Sequence, residues 1–134
     1  MILPNGALVA VVDGEKLALF RNKGAEPNIE LIAVPVSDID TDNTGSGGRH
    51  HSSAANPDSS RLEEDNFAAS AVGFLNKQAI AGKFEHLFLI ADPRTLGEMR
   101  KQFHGELESR IVGQLAKDLT GHPTAAIEKA VTDN

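Results

Sequence analysis

Residues Leu87–Lys101, LFLIADPRTLGEMRK, constrain the fold of this chain more than any other stretch. A run that is apolar at nearly every position from Leu87 to Ala91 suits a strand covered on both faces, the pattern of parallel sheets in α/β proteins. It breaks at Asp92-Pro93, where Asp is a natural N-cap and Pro fits the first helical position. A helix to about Gly105 follows, with Leu96, Met99 and Phe103 on one face. Thr95 and Glu98 offer a second capping box that would start the same helix two or three residues later. In open α/β sheets, ligands gather at such strand-to-helix turns, where helix amides point outward. The turn at Asp92 is therefore the first place to look for function.

The rest of the chain supplies partners for that strand. Ala7–Val12 and Lys16–Arg21 are short β-type runs around Asp13-Gly14-Glu15, a hairpin signal in which Gly14 would supply positive φ. Glu30–Val36 reads as a third strand, with Pro35 placing part of it at an edge or strand end. Ser60-Arg61-Leu62-Glu63 has the form of a capping box and opens a helix to about Ala81. Leu62, Phe67, Ala71, Phe74 and Leu75 form its apolar face, and Gly82 ends it. Ser109–Leu119 reads as either helix or strand, periodicity alone slightly favouring helix. Thr120-Gly121-His122-Pro123 breaks the chain, and Pro123–Val131 closes it as a short helix.

One segment differs in kind. Ser37–Ser60 contains a single large apolar residue, Ile39, among Gly, Ser, Asp and Asn. It cannot bury enough surface to order itself and is expected to be a long mobile loop. Otherwise the 134 residues fit one compact domain. With no cysteine, disulfides, thiolate metal sites and cysteine nucleophiles are excluded. No run approaches the roughly 20 apolar residues that span a bilayer. The N-terminus lacks a basic leader and cleavage site, so a cytoplasmic protein that does not engage membranes is expected. A net charge of −6 argues against a surface that coats nucleic acid broadly. Six Phe without Trp or Tyr leave little for base stacking.

Five blocks stand out: Val12-Asp13-Gly14-Glu15-Lys16, Glu64-x-x-Phe67-Ala68, Leu75-Asn76-Lys77, Pro93-Arg94-Thr95-Leu96-Gly97-Glu98-Met99-Arg100 and Lys117-Asp118-Leu119-Thr120-x-His122-Pro123. Together they resemble the bacterial host attachment protein family, described as proteins required for attachment to host cells. The resemblance spans nearly the whole chain. It implies a ribonuclease H-like fold related to the middle domain of archaeal and eukaryotic peptide-chain release factors. It also favours a strand at Ser109–Leu119. The order becomes βββ-α-β-α-β-α, a mixed five-stranded α/β sheet with helices on its faces. The release-factor domain carries Gly-Gly-Gln on its long loop, whereas this chain has Gly47-Gly48-Arg49 there. An arginine cannot place water as the glutamine does, which argues against peptidyl-tRNA hydrolysis.

The candidate chemistry sorts into two readings. Acidic residues in ribonuclease H-like nucleases hold two metal ions, and the equivalents would be Asp13, Glu63 or Glu64, and Asp92. Each also has a structural reading, as turn residue, capping partner and N-cap respectively. The alternative function is thus a metal-dependent nuclease or ester hydrolase using Asp13 and Asp92. The favoured reading is a binding module without enzymatic activity, metal or cofactor. It would contact RNA, the ribosome or a protein partner through Arg49, Arg94, Thr95 and Arg100, with Arg21 as a further phosphate contact. His50-His51 read as solvated loop residues, His104 as a partner for a helix C-terminus, and His122 as a turn residue.

Overall fold

The computed structural model describes residues 3–24, 28–36 and 57–134, with side chains from 66 onward in the last stretch. Three strands come first: β1 (Leu8–Val12), β2 (Leu17–Asn22) and β3 (Leu31–Val34). A 24-residue helix, α1 (Pro57–Ile80), leads to β4 (Leu87–Ala91). Then come α2 (Pro93–Arg100), the one-turn α3 (Gly105–Glu108), β5 (Ile111–Ala116) and α4 (Thr124–Thr132).

The five strands form one mixed sheet in the order β3-β2-β1-β4-β5. β2 runs antiparallel to both β1 and β3, while β1, β4 and β5 are parallel. Every residue of β1 and of β4 is buried, as expected for central strands with helices on both faces. Alternation sends Leu8, Ala10, Val12, Leu87, Leu89 and Ala91 toward one cluster. Ala71, Val72, Leu75 and Ala79 of α1, Leu96 and Met99 of α2, and Leu107 of α3 complete it. Val9, Val11, Phe20, Phe88 and Ile90 meet Ile127 and Val131 of α4 on the other face. Phe67 and Phe74 pack at the margin of the first cluster as partly buried residues.

Several local expectations are revised. The turn after β1 does not use a positive φ at Gly14; only Gly6, Gly82 and Gly121 have one among the described residues. Asp13 shapes the turn instead, its Oδ1 accepting from the amides of Glu15 (2.7 Å) and Lys16 (2.6 Å). An Asp side chain that mimics a backbone carbonyl removes the need for a left-handed residue. Helix α1 begins at Pro57, so Ser60 lies inside the helix and is not its N-cap. A Pro at the first position loses no hydrogen bond, and this competing start signal prevails. The helix does end at Gly82: at φ 72°, it lets the amides of Gly82 and Lys83 donate to the carbonyls of Ala79 and Gln78.

The second predicted helix divides. α2 stops at Arg100, and His104 starts α3, its Nδ1 accepting from the Glu106 amide at 3.0 Å. His104 thus caps an N-terminus rather than interacting with a C-terminus. Ile111–Ala116 is a strand, and the register against β4 slips between Leu87 and Phe88. Of the loop expected at Ser37–Ser60, residues 57–60 are helical and 37–56 lie outside the described residues.

Candidate functional site

Parallel register builds the site. Val12 of β1, Ala91 of β4 and Ala116 of β5 lie side by side at the carboxyl ends of their strands. Each strand then exits into an aspartate within two residues: Asp13, Asp92 and Asp118. These three, with Gly14, Glu15 and Thr95, line a cleft of about 350 Å³. It lies where open α/β sheets place their ligands.

Asp92 caps α2 as its sequence context predicts. Its Oδ2 accepts from the Thr95 amide at 3.2 Å, and its backbone carbonyl accepts from Leu96 at 2.9 Å. The helix starts at Pro93, so Thr95 is not a second N-cap. Asp92 Oδ1 is buried with no hydrogen-bond partner.

Asp13 is held more firmly. Beyond the two turn amides on Oδ1, its Oδ2 accepts from the Thr120 hydroxyl at 2.7 Å. Burial alone would raise its pKa, but the hydrogen bonds from Thr120, Glu15 and Lys16, with the Lys16 charge, outweigh it and hold the carboxyl below its ordinary value. Thr120 also stands 2.8 Å from Asp118 Oδ1, and its amide donates to the same oxygen at 3.3 Å. A hydroxyl has one proton, so Thr120 can donate to only one of the two carboxylates at a time.

The structure brings together only part of the sequence-predicted set. Asp13 and Asp92 both line the cleft, as does Thr95 on the first turn of α2. Glu63 and Glu64 lie in α1 with side chains outside the described residues, and Arg49 and His50-His51 also fall outside. Among the described residues, no group of three or more His, Cys, Asp and Glu is placed to hold a metal ion. Arg94 is exposed on the first turn of α2. Arg100 is at the far end of that helix, its Nε donating to Gln114 Oε1 of β5 at 2.8 Å. Arg21 is at the opposite end of the sheet, paired with Leu8, and its Nη1 donates to the Gly6 carbonyl at 2.9 Å. It faces a separate hollow of about 240 Å³ beside Lys83 and His86. Arg21 therefore does not share a patch with Arg94 and Arg100. His122 is exposed, one ring nitrogen 3.5 Å from the Thr120 carbonyl oxygen.

Sequence reasoning missed Glu15, Asp118 and Thr120 as site residues. Asp118 carried a readable signal, standing just past a strand end in the Lys117-Asp118-Leu119-Thr120 block. Thr120 carried none, since its partner Asp13 is 107 positions away.

A model of bacterial archaeo-eukaryotic release factor family 12 matches residues 6–131. The chain belongs to this family. The match covers all five strands and nearly all of α4, so the cleft is part of the family domain. This family 12 chain is also similar to an uncharacterized protein of Rickettsia prowazekii (strain Madrid E), RP470, with 33% identity over 72 residues. That match covers 52% of this chain and about half, 48%, of the relative. No helix among the described residues is long and apolar enough to cross a membrane.

Proposed function

We propose that this family 12 protein is a single-domain, non-enzymatic binding module of the cytoplasm. It docks on the ribosome or another RNA, with a protein partner as the remaining choice. The observation that carries this reading is the release-factor family match over residues 6–131. The strand order β3-β2-β1-β4-β5, with β2 alone reversed, supports a ribonuclease H-like relation to the release-factor middle domain. The contact surface is the segment bearing Arg49 together with the Arg94 turn and Arg100 at the end of the same helix, while Thr95, buried on the wall of the carboxylate-lined cleft, stays out of it. Gly47-Gly48-Arg49 in place of Gly-Gly-Gln supports binding without ester hydrolysis. Asp13 and Asp92 already accept backbone amides, roles that need no reaction to explain them. Any link to host attachment is indirect.

Co-sedimentation with ribosomes from lysate, with and without ribonuclease, tests the reading. Retention is expected to depend on RNA and to fall severalfold when Arg49 and Arg94 are both changed to alanine. Undiminished retention of that variant would remove this surface from the assignment.

A further inference from the structure

The cleft has an unusual balance of groups. Four of its six lining residues are carboxylates: Asp13, Glu15, Asp92 and Asp118. Lys16 and Lys117 adjoin them in sequence, but neither lines the cavity. Carboxylates gathered at strand ends are common and alone assign nothing. A second observation does point to a ligand. Thr95 is only 4% exposed and lines the same cleft, yet no described residue hydrogen-bonds its hydroxyl. The hydroxyl is open to the cleft rather than sealed, and a hydroxyl without a protein partner on a cavity wall marks a place for a polar atom from outside the chain. Asp92, which lines the same cleft, has in Oδ1 a buried acceptor with no donor. Asp13 and Asp118, also on the lining of the cleft, share the single proton of Thr120, so the Thr120 hydroxyl serves only one of them at a time.

We infer that this cleft binds an organic cation rich in N–H donors, a primary ammonium or a guanidinium. The excess of acceptors calls for donors as well as positive charge. An ammonium carries three N–H donors and a guanidinium five, and neither accepts. A single metal ion suits the cleft less well, because the carboxylates do not converge as a ligand set. A volume of about 350 Å³ is at the lower end of small-ligand pockets and far exceeds that of one ion. The chemistry is shared by a free polyamine and by a lysine or arginine side chain of a partner.

Titration of the isotope-labelled full chain, followed by amide NMR, separates the outcomes. Spermidine and N-acetylarginine N-methylamide serve as the two probes, with sodium chloride of matched ionic strength and Mg²⁺ as controls. Saturable shifts at Gly14, Thr95 and Asp118 are expected with at least one organic cation, and the tighter probe identifies the source. Asp118→Asn keeps the acceptor for Thr120 and removes one charge, so it should weaken binding by roughly three- to fivefold, the scale of one exposed ion pair. Thr95→Val removes the hydroxyl at nearly constant volume and should also weaken it. Shifts reproduced by sodium chloride, unchanged affinity in both variants, or tighter saturation by Mg²⁺ than by either organic probe would overturn the proposal.

Discussion

Asp13 shows how one side chain can serve both the hairpin and the cleft. Its two oxygens accept from the turn amides on one side and from Thr120 on the other, joining the β1–β2 turn to the segment after β5. All these bonds favour the ionised carboxylate, so its pKa in the folded protein lies below the ordinary 3.8. A lowered carboxyl pKa contributes stability that is fully present above the unfolded value and is lost as pH falls through the folded one. Wild-type protein is therefore expected to lose stability below about pH 4 more steeply than Asp13→Asn, which has no charge to titrate. At neutral pH the variant should be less stable by about 1 kcal/mol, the difference between a hydrogen bond to a charged group and one to a neutral group. Urea unfolding at several pH values between 3 and 6 measures both effects. A wild-type-minus-variant difference that stays constant across that range would show that the carboxylate is not the linked group.

At the scale of elements, two glycines separate what sequence can and cannot show. Gly97 lies within α2, has no positive φ, and a Cβ built there would meet nothing within 4 Å. Gly97→Ala should stabilise the protein by about 0.5–1 kcal/mol by removing freedom from the unfolded chain and raising helix propensity. Gly82 is equally uncrowded but has φ 72°, so Gly82→Ala should destabilise it by about 1 kcal/mol. Thermal melts of the two variants should therefore shift in opposite directions, and equal shifts would refute the backbone account. The Gly82 stop was legible because glycine after an apolar helical run is a C-terminal signal. The strands were legible for a similar reason, since β4 is apolar in every residue and sits between two clusters. The start of α1 was misread because Pro57 and Ser60 both signal a helix start, and local sequence does not rank them. The Asp13–Thr120 bond was not legible at all, because parallel strand order, not local pattern, brings those positions together.

For the molecule as a whole, electrostatics limit what an RNA contact can look like. The chain carries a net charge of −6, and four carboxylates line the cleft at the carboxyl ends of the parallel strands. Phosphate is repelled from that cleft, so an RNA would be held at its rim, where Arg94 is exposed, and not in the cavity. Arg21, at the opposite end of the sheet, cannot join the same contact. That leaves Arg49, Arg94 and Arg100 as the arginines assigned to one strand of RNA. For single strands the logarithm of affinity falls with the logarithm of salt at about 0.7 per phosphate neutralised, so three contacts give a slope of about 2. Affinity for a labelled single-stranded RNA should then fall on the order of tenfold between 50 and 200 mM salt. Fluorescence anisotropy across that range, with wild type and Arg94→Ala, reads the slope directly. The variant should lower it by about 0.7, the share of one phosphate contact. A wild-type slope near 5 would require about seven contacts, more than these arginines can make, and would place the RNA on a different surface. A slope near zero would mean that no phosphate is touched, leaving a protein as the partner of the Arg94 turn.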